Sequence, residues 1–100
     1  MGDQIYHYYV EMCKVFSHPK RLELIKLLRD GEMNVSEVCR ALVLSPGNLS
    51  QHLVMMRERR ILVSRKEANM VYCRIANPRL FGAIDLLRRF CSSRSAVTLS

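Results

Sequence analysis

A chain of 100 residues, 49% of them apolar, fills one small hydrophobic core and not a second, so a single domain is expected. Sixteen Lys and Arg against nine Asp and Glu leave a formal charge of +7, which points to a polyanionic partner such as nucleic acid. No run approaches the ~18–20 apolar residues of a membrane span, and no nucleophile–base–orienter set, glycine-rich phosphate loop or paired carboxylate motif can be assembled, so the chain is read as not an enzyme.

The opening segment carries Asp3 and a Tyr-rich run broken by polar residues, unlike the basic start and continuous apolar block of a secretory leader, and a cytoplasmic location is expected. Over residues 4–16, Ile5, Tyr9, Met12 and Phe16 recur at steps of three and four and predict a first helix. His18 interrupts, and Pro19 suits the first turn of a second helix with Leu22, Ile25 and Leu28 inward and Gly31 at its end. Asn34 followed by Glu37 resembles a capping box opening a short third helix that buries Val35, Val38 and Leu42. Ser45 as cap and Pro46 in the first position start a fourth, with Leu49, Leu53 and Met56 inward. Beyond Arg60 the period shortens to about two, and residues 61–66 and 70–75 predict two strands. Residues 67–69 join them, Asn69 being best suited to a positive φ. Asn77 and Pro78 begin a last helix carrying Leu80, Ile84, Leu87 and Cys91. Residues 92–100 are polar and are expected to form a flexible tail, which leaves a domain of residues 1–91.

Four helices, a basic hairpin and a closing helix, in that order, make a winged helix-turn-helix: mainly α with a small β-hairpin. In that fold the fourth helix enters the major groove of DNA and the hairpin flanks it. With Leu49, Leu53 and Met56 inward, Gly47, Gln51, Val54 and Glu58 point outward, with Asn48 and Ser50 beside them. Gln and Asn offer bidentate amides to adenine, Ser bonds base or phosphate, and Gly47 lets the backbone come close, while Glu58 is expected to lie off the DNA. Arg57, Arg59, Arg60, Arg65 and Lys66 cluster where a groove-binding helix needs phosphate contacts. The candidate DNA-binding residues are therefore Ser45, Gly47, Asn48, Ser50, Gln51, His52, Arg57, Arg65 and Lys66. Two plainer readings stand beside this one: a polar helix face that simply meets water, and a His52 that is partly buried and hydrogen-bonded near the apolar stripe.

His18-Pro19-Lys20-Arg21-Leu22, Gly31-Glu32 with Val35-Ser36-Glu37-Val38, Leu49-Ser50-Gln51-His52-Leu53 and Arg65-Lys66-Glu67-Ala68 together resemble the ArsR/SmtB family of metal- and thiol-responsive repressors, over residues 16–90. The resemblance implies a homodimer built from the first and last helices, residues 1–16 and 77–91, bound to an imperfect inverted repeat of double-stranded DNA and released by an inducer. The apolar stripes of those two helices fit that implication, with ordinary intrachain core as the other reading. The ending Leu86-Leu87-Arg88-Arg89-Phe90-Cys91 resembles the HlyU/BigR thiol-sensing branch, whose second cysteine, in helix two, has Lys26 at its position here.

Cys13, Cys39, Cys73 and Cys91 lie far apart without CxxC pairs and are expected as free thiols. Arsenic- and cadmium-binding relatives carry Cys-Val-Cys in helix three, where this sequence has Asn34-Val35-Ser36 and keeps only Cys39; zinc sensors of the last helix use Asp and His pairs, where it has Asp85 without histidine. Across a dimer, Cys13 and Cys91 can approach each other and take a thiophilic metal or metalloid ion such as arsenite, cadmium, copper or zinc, or form a disulfide with an oxidant. Cys39 is a third candidate; each is equally a small core residue, and Cys73, alternating with Val71 and Ile75, reads as packing. The function expected is a sequence-specific transcriptional repressor released from its operator by a thiol-directed inducer, the alternative being a winged helix for RNA or protein contact without a sensing site.

Overall fold

Helix starts are fixed by local caps. His18 Nδ1 accepts from the Lys20 N–H at 3.1 Å, Asn34 Oδ1 from Ser36 N–H at 2.7 Å, Ser45 Oγ from Asn48 N–H at 3.2 Å, and Asn77 Oδ1 from Arg79 N–H at 3.0 Å. Each bond satisfies a backbone donor that has no partner within its helix. The computed structural model, which describes residues 2–99 and the side chains of residues 4–93, accordingly contains α1 (Gly2–Phe16), α2 (Pro19–Leu27), α3 (Val35–Leu42), α4 (Pro46–Glu58) and α5 (Arg79–Leu99). Asn34 bonds to Ser36, two residues on, rather than to Glu37 of the expected capping box. A 3-10 turn, Leu28–Asp30, follows α2 and is closed by Gly31 at φ 132°, a conformation open only to glycine.

The sheet has one strand more than the expected hairpin. β1 (Met33–Asn34) pairs antiparallel with β3 (Met70–Ile75), which pairs antiparallel with β2 (Leu62–Glu67), in the order β1-β3-β2. Two residues cannot display a period of two; β1 exists because Met33 and Asn34 meet Cys73 and Tyr72. The hairpin register runs from Leu62 opposite Ile75 to Glu67 opposite Met70. That leaves Ala68 and Asn69 as a two-residue turn at φ 47° and 68°, both positive as a type I′ turn requires.

Val15, Leu24, Ile25, Leu28, Val38, Leu42, Leu49, Leu53, Met56, Ile61, Leu62, Cys73 and Ile75 form one core between the helices and the sheet. Leu22, expected inward, is instead 36% exposed: α2 buries Leu24 and Ile25, and the 3-10 turn after it buries Leu28. α5 runs on to Leu99, past the tail expected from Ser92: no glycine or proline follows Gly82, and extending a helix already begun is favourable residue by residue. Ser100 lies outside the described residues. No described helix is long and apolar enough to cross a membrane.

Candidate nucleic-acid interface

α3 and α4 form the helix-turn-helix. α3 ends on Val43, left-handed at φ 53° and 85% exposed, and Ser45 starts α4 two residues later. Leu49, Leu53 and Met56 are buried, so Gly47, Asn48, Ser50, Gln51, Val54 and Glu58 lie exposed on the opposite side, as the helical period requires. No hydrogen bond among the described residues uses the side chain of Asn48, Ser50 or Gln51, which leaves their donors and acceptors open toward solvent.

The helix behind this face is held by cations. Arg21 Nε donates to Val15 O at 2.8 Å and its Nη2 to Lys14 O at 2.7 Å, closing the carbonyl end of α1, while its Nη1 lies 3.4 Å from His52 Nδ1. Lys20 Nζ donates to Leu42 O at 2.8 Å at the end of α3. His52 stacks edge-on against His18 with ring centroids 4.7 Å apart. Burial, then the neighbouring His18 and Arg21 charges, pull the His52 pKa below the ordinary histidine value, so the neutral imidazole is favoured. His52 thus belongs to the packing between α2 and α4 rather than to the open face.

The basic cluster divides in the same way. Arg59, read from sequence as a phosphate contact, reaches Glu11 Oε2 at 2.9 Å through both Nε and Nη2 and donates through Nη1 to Met55 O at 3.2 Å, tying α4 to α1. Arg65 grips Glu32 at 2.7 and 2.6 Å and Glu67 at 2.6 Å, with its guanidinium 4.6 Å from the centre of the Tyr72 ring. Those hydrogen bonds hold the Glu32 carboxyl below its ordinary value and brace the wing against the loop before β1. Arg57 donates to Ser64 Oγ at 3.3 Å and keeps its charge uncompensated. Arg60 and Lys66 likewise have no carboxylate within 4.0 Å among the described residues. Arg40, which the sequence reading passed over, is exposed and borders a shallow depression with Cys39, Val43, Leu44 and Ser45 at the start of α4. Its position in the last turn before the helix-turn-helix bend was the available signal.

Cys13 and Cys91 are exposed, Cys39 is half-buried against the core, and Cys73 is buried with its thiol pKa raised to about 11 by burial. Cys73 is therefore a packing residue. Cys91 and Lys26 line the same cleft between α2 and α5, so that cleft holds one thiol and, on α2, a cation. No three His, Cys, Asp or Glu side chains gather into a metal site among the described residues of the single chain.

Comparison with known proteins agrees with this geometry. Residues 18–64 match the family model of bacterial regulatory proteins of the arsR family. The chain is 33% identical over 85 residues to the transcriptional activator HlyU of Vibrio cholerae, covering 84% of this chain and 79% of HlyU. It is 33% identical over 78 residues to the transcriptional repressor PagR of Bacillus anthracis, covering 77% and 78%. The solved structure of V. cholerae HlyU superposes with a TM-score of 0.76 at 32% identity, covering 85% of this chain and 92% of that one. A homodimeric winged helix-turn-helix DNA-binding domain from Mycobacterium bovis shares the fold with a TM-score of 0.79 at 22% identity, covering 88% and 84%. By sequence and by architecture, the chain belongs to the ArsR family of bacterial regulatory proteins, with the winged helix-turn-helix as its fold.

Proposed function

We propose that the chain is a cytoplasmic, homodimeric, sequence-specific repressor whose two copies of α4 enter successive major grooves of an inverted-repeat operator. The observation that carries this reading is the uncovered start of α4. There Gly47, Asn48, Ser50 and Gln51 are exposed, with Arg40 beside the start of the helix and Arg57, Arg60 and Lys66, at its far end and in the wing, as further uncompensated cations. Asn48 and Gln51 are the base-reading candidates, Ser45 and Ser50 bond base or phosphate, and the cations neutralise phosphates. Arg65 contributes by fixing the wing, and His52 by fixing α4.

Dimerisation through α1 and α5 is supported by the apolar side chains they leave in solvent, among them Ile5, Tyr6 and Tyr9 on α1 and Leu86 and Phe90 on α5, with Phe90 63% exposed. PagR is named a repressor and HlyU an activator; the repressor reading follows the simplest physics, a dimer occupying DNA that another protein needs. Exposed Cys13 and Cys91 are the candidates for release by a thiophilic ion or an oxidant, with half-buried Cys39 as the third. A ligand there needs only ~1–3 kcal/mol of coupling to weaken DNA binding roughly 5- to 150-fold.

Fluorescence anisotropy with duplexes carrying two half-sites at varied spacing tests the reading. Binding is expected to peak where half-site centres lie about 10–10.5 base pairs apart, or a multiple of that, and to fall with rising salt. Affinity indifferent to spacing and to base sequence would sink it and favour a general docking surface.

A further inference from the structure

We propose that the cleft between α2 and α5 binds a small amphipathic carboxylate with the chemistry of a free medium-chain fatty acid. The cleft measures about 780 Å3, within the roughly 300–1,000 Å3 of small-molecule sites. Its walls are apolar: Leu22 and Ile25 come from α2, and Phe81 and Ile84 from α5. The exposure of Leu22, which a plain amphipathic helix would bury, is what opens the apolar wall on the α2 side.

The polar lining is unbalanced. Four cations and two carboxylates reach the cleft, and both carboxylates already have partners: Asp85 pairs with Arg29 at 2.5 Å, and Glu23 with Lys20 at 3.2 Å. Lys26, Arg88 and Arg89 have no carboxylate within 4.0 Å among the described residues. Arg29, paired with Asp85 and lying 5.2 Å from the centre of the Phe81 ring, links the turn after α2 to α5. A wholly apolar guest would leave the three exposed cations at the rim without an anion to pair, and a polyanion would gain nothing from the walls. One negative head on an apolar body satisfies both.

A second copy of the chain is not the occupant this geometry suggests. At about 100° per residue, Leu86 and Phe90, the two most exposed large apolar side chains of α5 among the described residues, point roughly 140° and 180° away from Phe81, so that pair looks away from the cleft, while the less exposed Leu87 turns toward it.

The test is calorimetric titration of the full chain with sodium decanoate below its micellar concentration, without DNA, so that failure leaves the operator reading untouched. Saturable binding of one decanoate per chain is expected, tightening about threefold to fourfold per methylene along the series from hexanoate. Neutral 1-decanol should bind at least tenfold more weakly, and Lys26→Gln with Arg89→Gln should remove most of that difference. Methyl shifts in NMR should fall on Leu22 and Ile84. The proposal is overturned if decanol binds as tightly as decanoate, if the charge variants bind like the parent, if the shifts fall on α1, or if decanoate does not bind. Sedimentation with phosphatidylglycerol vesicles in the absence of decanoate binding would likewise overturn it, assigning the cations to a membrane surface.

Discussion

Replacing Lys66 and Gln51 one at a time separates backbone contacts from base reading. Lys66 stands exposed in β2 with no carboxylate within 4.0 Å among the described residues, so its charge is available to displace a counterion from DNA. Losing one phosphate contact lowers the slope of log K against log salt by about 0.9, which at roughly 0.15 M salt weakens binding about fivefold, near 1 kcal/mol. Lys66→Ala should show that loss equally on an operator and on a scrambled duplex. Gln51 has an exposed, unbonded amide on α4, and Gln51→Ala should cost ~1–3 kcal/mol on the operator alone, with the slope unchanged. Arg65 is the internal control. Its donors already hold Glu32 and Glu67, so Arg65→Ala should lower the slope by less than Lys66→Ala does, while loosening the wing. Anisotropy titrations of both duplexes over a range of salt measure all three quantities. If Gln51→Ala weakens both duplexes alike, or Lys66→Ala leaves the slope where it was, α4 does not read the groove as argued.

Three further outcomes follow from the same structure. The depressed His52 pKa means that the folded chain takes up this proton less readily than the unfolded one. The stabilisation is therefore whole above the unfolded value near 6.5 and is lost as pH falls from there through the lower folded value. Urea midpoints between pH 7.5 and 5.5 should drop for the parent and drop less for His52→Gln; equal drops would remove His52 as the cause. Ala68→Gly relieves a left-handed alanine worth ~1–2 kcal/mol against ~0.5–1 kcal/mol of added chain freedom, a net gain of about 0–1.5 kcal/mol and a Tm rise of up to roughly 10 °C. A lowered Tm would contradict the turn geometry. Cys13→Ser with Cys91→Ser should abolish release from DNA by arsenite, cadmium, copper, zinc or oxidant; release as in the parent would discard the proposed sensor.

How far the sequence alone reaches depends on whether a feature is local. Asn34, Ser45 and Asn77 announce helix starts because a cap involves only its own next few residues, and Leu49, Leu53 and Met56 fix the outward face of α4 by periodicity alone. β1 is invisible because its partners, Cys73 and Tyr72, arrive only through the tertiary fold. The end of α5 is missed for the opposite reason: Ser92 and Ser93 look like a tail by polarity, yet nothing after Gly82 breaks a helix. His18 and Arg21 stand out as a sequence motif, but their work, capping α2 and joining the end of α1 to α4, appears only in three dimensions.

The same distinction governs charge. From sequence, Arg59 and Arg65 weigh the same as Arg57, Arg60 and Lys66, since composition cannot show which cations meet Glu11 and Glu32. In the fold, the cations near α4 and the wing divide into Arg59 and Arg65, which hold those elements in place, and Arg57, Arg60 and Lys66, which have no carboxylate partner among the described residues. The exposed pairs contribute only ~0–1 kcal/mol each to stability, whereas each open cation that meets a phosphate adds to the salt slope of DNA binding. Raising salt should therefore detach the protein from DNA well before it disturbs the architecture that presents α4, and the bracing arginines matter to recognition chiefly through orientation.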